Sequence, residues 1–104
     1  MKRNYQMLRE EEIQSILQKY PEWQRIQNGN VSHFYLERKF SSFTDAFLFL
    51  TKIAFVSESL DHHAEIWNVY NLVRLTLYTH DVKGLTKTDE AFIEEVMKPN
   101  FATA

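Results

Sequence analysis

The sequence predicts an α+β fold of order αββαββα, a four-stranded antiparallel sheet with three helices packed on one face. Three observations predict it. Apolar residues recur at helical spacing in three separated stretches, near the start, the middle and the end of the chain. Between them lie two pairs of short segments in which apolar and polar residues alternate, each pair joined by a turn short enough for a hairpin. No linker or low-complexity run divides the 104 residues, and short hairpin strands call for an antiparallel sheet with its helices on one side. Residues 1–104 are therefore expected to form a single domain, with loose tails over 1–7 and 99–104.

In chain order, Ile13, Ile16, Leu17 and Tyr20 mark one face of a first helix from Leu8 to Tyr20. Glu10, Glu11 and Glu12 favour its N-terminal dipole, and Pro21 ends it. Trp23 to Gln27 leads through Asn28-Gly29-Asn30, a turn signal, to a strand where Phe34, Leu36 and Phe40 alternate with His33, Tyr35, Glu37 and Lys39. This reads as a hairpin with one buried face, leaving His33 exposed to solvent. Ser42 followed by Asp45 supplies the start of a second helix. Most residues from Phe43 to Ser57 are apolar, more than one buried stripe requires, so that helix is either central or covered by a second subunit.

Glu58 to His63 turns the chain into a third strand, Ile66 to Tyr70, which Asn71-Leu72 separates from a fourth, Val73 to Leu77. With Asn71-Leu72 as a two-residue loop, Tyr70 faces Val73 and the same register sets His63 opposite His80, Cβ atoms about 4.5–5.5 Å apart. Gly84 breaks the chain, and Thr86 to Asp89 is a capping box ahead of Phe92, Ile93, Val96 and Met97 on a third helix that Pro99 closes.

Composition narrows the function. The apolar fraction of 44% contains no run near the roughly 20 residues that cross a membrane. A net charge of −2, with Lys and Arg scattered among acids, offers no basic patch for nucleic acid. The absence of cysteine removes disulfides and thiolate zinc sites and fits a reducing cytoplasmic or nuclear setting. The Met1-Lys-Arg-Asn-Tyr-Gln start runs into charged residues, so no secretory signal is expected.

The chemistry gathers late. His62, His63 and His80 converge on one hairpin end beside Glu58, Asp61, Asp81 and Asp89, and everything before Glu58 reads as scaffold. Imidazoles suit proton transfer near neutral pH, their reference pKa being about 6.5. A three-histidine zinc site, and with it a metal-dependent hydrolase, is the alternative, although adjacent strand residues point to opposite faces and would divide such a set. Asp89 can cap the third helix, line a pocket, or both; Glu58 and Asp61 can be solvated acids at a helix end. Trp23 and Trp67 are expected to pack in the core.

The run Asp61-His62-His63, then Trp67-Asn68-Val69-Tyr70-Asn71, Val73, Leu75, Leu77-Tyr78-Thr79-His80, and Gly84-Leu85-Thr86 with Asp89, resembles the pterin-4a-carbinolamine dehydratases. Phe43 to Phe47, Ala54 and Glu58 are similar to that family's second helix, so the likeness is close over about residues 40 to 98. It implies the same αββαββα fold, no metal or other cofactor, assembly into a homodimer or homotetramer, and dehydration of a 4a-hydroxytetrahydropterin to the quinonoid dihydropterin, which recycles the cofactor of aromatic amino acid hydroxylases. It assigns His62, His63 and His80 to catalysis and substrate contact, and Asp61, Tyr78, Thr79 and Asp81, with Glu58 and Asp89, to the substrate-binding surroundings. The family also includes a dimerisation cofactor for a homeodomain transcription factor and assembly factors, so a non-catalytic binding module with such a partner is the competing expectation. Two positions depart from the family's usual pattern: Ala64 stands where a proline follows the histidine pair, and Ile66 where an aromatic residue is usual.

Overall fold

The computed structural model describes residues 3–99. Its elements are α1 (Glu10–Lys19), β1 (Trp23–Asn28), β2 (Val31–Lys39), α2 (Phe43–Leu60), β3 (Glu65–Val69), β4 (Leu72–Leu77), a 3-10 turn over His80–Val82, and α3 (Lys87–Val96). The strands form one antiparallel sheet in the order β1-β2-β4-β3, which places the two hairpins side by side through β2 and β4. The αββαββα order predicted above is present.

Alternation decides which face is covered. Trp23, Phe34, Leu36, Val73, Leu75 and Leu77 point to one side and are buried with Ile13 and Ile16 of α1, Ala46, Phe49 and Ile53 of α2, and Phe92, Ile93 and Val96 of α3. Burying an aliphatic or phenyl side chain of this size contributes about 1.5–3 kcal/mol, so this shared layer holds the sheet to its helices. The other face carries Ile26, His33, Tyr35, Glu37, Glu65, Trp67, Arg74 and Thr76. Trp67 departs from the core position expected of it. It is 40% exposed on this open face, with the Arg74 guanidinium 4.2 Å from its ring centroid, whereas Trp23 is buried as expected.

Local chemistry sets the ends of the helices. Ser42 Oγ accepts the Asp45 N–H at the start of α2, and the Thr86–Asp89 capping box opens α3. α2 runs three residues past Ser57 and closes on Asp61, whose φ of +49° is the left-handed geometry usually given to glycine. Arg3 takes the free carbonyls there, donating to Asp61 O at 2.7 Å and Leu60 O at 2.9 Å. Residues 6–8 are likewise tied down and not loose: Met7 bridges Thr86, Leu8 N–H donates to Leu85 O, and Lys87 N–H donates to Gln6 O. Tail positions 1–2 and 100–104 lie outside the described residues.

The second hairpin has the two-residue loop expected of it, placed one residue earlier. Val69 pairs with Leu72 and Tyr70-Asn71 forms the turn, with Tyr70 at φ +52°. The pairing runs Glu65 with Thr76, so the register leads His63 toward Tyr78 and not toward His80.

Candidate active site

The paired histidines part company because of how α2 ends. The left-handed Asp61 reverses the chain, and the His62 N–H returns to Ser57 O at 2.9 Å, which turns the His62 side chain inward and leaves His63 outside. His62 is 7% exposed, with its Nε2 2.6 Å from Asp89 Oδ1 and its ring edge-on to Phe92.

Asp89 is fully buried, and every one of its polar neighbours brings a donor. Its Oδ2 accepts from Thr79 Oγ1 at 2.7 Å and from the Thr86 N–H at 2.8 Å. Thr79 and Thr86 hydroxyls stand 2.7 Å apart; with the Thr79 proton directed to Asp89, Thr86 donates to Thr79. With Asp89 ionised the carboxylate is an acceptor throughout, and the tautomer that completes the short contact carries its proton on His62 Nε2. That leaves Nδ1 as the His62 nitrogen available for other work. Asp89 therefore caps α3 as considered above, but it is buried and does not line the cavity; its second role is to hold His62, which the sequence did not suggest.

His63 and His80 belong to a different compartment. Together they line a cavity of about 560 Å³ on the open face of the sheet, with Ile26, His33, Glu65, Thr76 and Tyr78 among its other walls, a size in the ordinary range for small-molecule sites of about 300–1,000 Å³. His63 is largely exposed, its Nε2 3.4 Å from Glu58 Oε2. His80 opens the 3-10 turn, exposed, its ring 6.0 Å from that of Tyr78. So the cavity collects His63, His80 and Tyr78, with Glu58 against His63. Behind it lie His62, Thr79 and Asp89. Asp61 and Asp81 are exposed and are not among the residues lining the cavity. Among the described residues no group of three histidine or carboxylate side chains is arranged to hold a metal ion.

Sequence reasoning missed the contribution of the first hairpin. His33, expected in solvent, is 5% exposed and lies against Tyr78 with ring centroids 4.2 Å apart. Ile26 and Asn28 line the same cavity, so the part of the chain read as scaffold supplies one wall. The cause is the pairing of β2 with β4, where Phe34 opposite Leu77 puts His33 beside Tyr78. The alternation that made His33 a polar-face residue was visible; its neighbour across 45 residues of sequence was not.

Comparison with known proteins identifies the family. The family model described as pterin 4 alpha carbinolamine dehydratase matches residues 6–98. A Prochlorococcus marinus protein provisionally named pterin-4-alpha-carbinolamine dehydratase is 42% identical over 83 residues, covering 80% of this chain and 82% of the relative. A protein of the same provisional name from Chelativorans sp. is 43% identical over 84 residues, covering 81% and 84%. Among solved structures, a transcriptional coactivator/pterin dehydratase from Brucella melitensis superposes with a TM-score of 0.79 at 33% identity, covering 86% of this chain and 94% of the other. A pterin dehydratase-like RuBisCO assembly factor of the alpha-carboxysome shares the fold at TM-score 0.61 and 22% identity, covering 79% and 90%. With nearly the whole described chain inside the family match, and relatives above 40% identity covered over more than four fifths of their length, the chain belongs to the pterin 4 alpha carbinolamine dehydratase family.

Proposed function

We propose that the protein dehydrates a 4a-hydroxytetrahydropterin to the quinonoid dihydropterin and water, as a lyase recycling a pterin cofactor. The elimination breaks the C4a–O bond, removes the proton from N5 and turns that electron pair into the N5=C4a double bond, while a second proton converts the departing hydroxyl to water. One base and one acid suffice. His63 and His80 are the pair: one imidazole takes the N5 proton and the other supplies the hydroxyl with its own. His62, held by Asp89, fixes the turn from which the adjacent His63 reaches the cavity, and Tyr78 and Glu58 shape and charge the surroundings; the pterin is the substrate, and no further cofactor is needed for these steps.

The observation that carries the reading is that His63 and His80 face a common cavity and neither holds the fold together. Solvent-exposed imidazoles without a packing role are what acid–base chemistry requires. The test is to follow dehydration with the wild type, His63→Ala and His80→Ala. Each variant is expected to lose about 10²–10⁴-fold in rate. A wild type no faster than buffer, or two variants at full rate, ends the catalytic reading.

One feature favours a second reading, a protein-binding module on the same fold. Phe43, Phe47, Leu48 and Phe55 of α2 lie exposed, Phe55 to 71%, an apolar surface of the kind that marks protein contacts. A second copy in a homodimer or homotetramer would cover it, as would a different partner. Sedimentation velocity separates these: an oligomer dispersed by Phe47→Ser with Phe55→Ser assigns the surface to self-association, and a strictly monomeric wild type assigns it elsewhere.

A further inference from the structure

The cavity shared by His63 and His80 continues beyond the His33–Tyr78 pair. A second hollow of about 270 Å³ is lined by Asn28, Val31, His33, Tyr78, His80 and Lys83. Asn28, His33, Tyr78 and His80 belong to both linings, so the two hollows share a wall and run together along the mouth of the first hairpin.

Their charges differ. The first has Glu65 in its lining and Glu58 against His63. The second has no carboxylate in its lining, and its fixed cation, Lys83, forms no ion pair among the described residues. Asp81, two residues earlier, is exposed and lines neither hollow.

Two further observations mark this end as more than a surface crease. Lys83 closes the 3-10 turn with φ +51° and ψ +50°, its N–H bonded to His80 O. A non-glycine residue in left-handed geometry carries about 1–2 kcal/mol of strain, and such strain concentrates at functional positions. His33 is buried with its Nδ1 sealed and unpartnered and its ring tilted against Tyr78; among the described residues no hydrogen bond of its side chain accounts for a histidine there. Its ring lines both hollows, so it is a polar group that a ligand there meets.

We propose that this second hollow is a subsite for the substituent carried by the pterin ring, and that the substituent it selects is anionic, a phosphate ester or a carboxylate, paired with Lys83 and hydrogen-bonded by His33 and Asn28. The inference rests on the dehydratase reading. The ring occupies the first hollow against His63 and His80, and its side chain extends past Tyr78 toward the lysine. Ion pairing at such a rim is weakened by salt, because charges at the surface are screened over about 8–10 Å at physiological ionic strength.

The experiment compares kcat/KM for three 4a-hydroxytetrahydropterins: one with a neutral dihydroxypropyl side chain, its phosphate ester, and one ending in a carboxylate. Wild type is expected to favour at least one anionic substrate about tenfold over the neutral one, through KM, with the preference falling as salt rises. Which anion gains tells phosphate from carboxylate recognition. Lys83→Gln is expected to bring the ratio to about one and Lys83→Glu to invert it. Because the readout is a ratio within each variant, a general loss of folded protein does not alter it. Turnover of all three substrates without preference, or a preference that both lysine variants retain, overturns the subsite and leaves the dehydratase standing. No turnover of any substrate removes both.

Discussion

Replacing Asp89 with asparagine tests how one buried carboxylate serves two neighbours. The wild-type side chain accepts from Thr79, from the Thr86 N–H and from His62, with no exposed surface. Asparagine keeps the shape and one acceptor oxygen. If that oxygen stays with Thr79 and Thr86, the amide nitrogen meets His62 Nε2, and two donors cannot share a 2.6 Å contact. The imidazole must then move its proton to Nδ1, the nitrogen that faces other work. A hydrogen bond to a charged group contributes about 1.5–3 kcal/mol and a neutral one about 0.5–1.5, so exchanging the carboxylate contact for an amide-to-imidazole bond costs about 1 kcal/mol. At about 4–8 °C per kcal/mol for a domain near this size, Asp89→Asn lowers Tm by about 4–8 °C. Dehydration should fall about 10²-fold or more in the variant that is still folded. Thermal denaturation reads the first effect, steady-state kinetics the second, and ¹⁵N shifts of the His62 ring the tautomer. A folded variant that keeps wild-type rate and a proton on Nε2 would refute the assignment of Asp89 as the residue that sets the ring.

Other consequences follow from the same structure. Glu12 is held down to about 2 from an ordinary 4.5, first by the Arg9 backbone N–H and then by Lys87 at the start of α3. Its folded value lies below its unfolded one, so its stabilisation is complete above about 4.5 and is lost as the pH falls toward 2. Wild type should therefore melt above Glu12→Gln at pH 6, and the two curves should converge in acid; a constant gap down to pH 2 would contradict this. Ala64 lies in coil between His63 and β3, so Ala64→Pro should raise stability by about 0.4–1 kcal/mol by narrowing the unfolded ensemble, readable as a shifted urea midpoint. Tyr35 on the open face is raised above its ordinary 10.0 by burial and then by Glu37, to which its hydroxyl donates. Spectrophotometric titration should find it ionising above the ordinary tyrosine value, and Glu37→Gln should bring it down.

What was legible in the sequence was mostly local. The pairs Ser42–Asp45 and Thr86–Asp89 announced two helix starts because a cap is a contact between residues three apart. Strand alternation announced the buried face because side chains on a strand repeat every two residues. The second hairpin was read one residue late because its turn uses Tyr70 at positive φ, where neither glycine nor asparagine advertises the geometry. The same holds for Asp61, which ends α2 without a glycine and sends His62 inward and His63 outward. His33 was out of reach for a different reason. Its partner Tyr78 comes from the second hairpin, and only the pairing of β2 with β4 brings them together.

The two compartments also change what a reader of related sequences should take as evidence. His62, Thr79, Thr86 and Asp89 knit the exit of α2 to the entrance of α3, so a descendant that had abandoned chemistry would still be under pressure to keep them for the sake of its shape. Their presence is therefore a poor witness to activity. His63 and His80 have no such second employment, and drift would erase them first once turnover ceased to matter. A histidine pair half lost, with the inner member intact and the outer one replaced, is the signature by which a retired enzyme on this fold would be known.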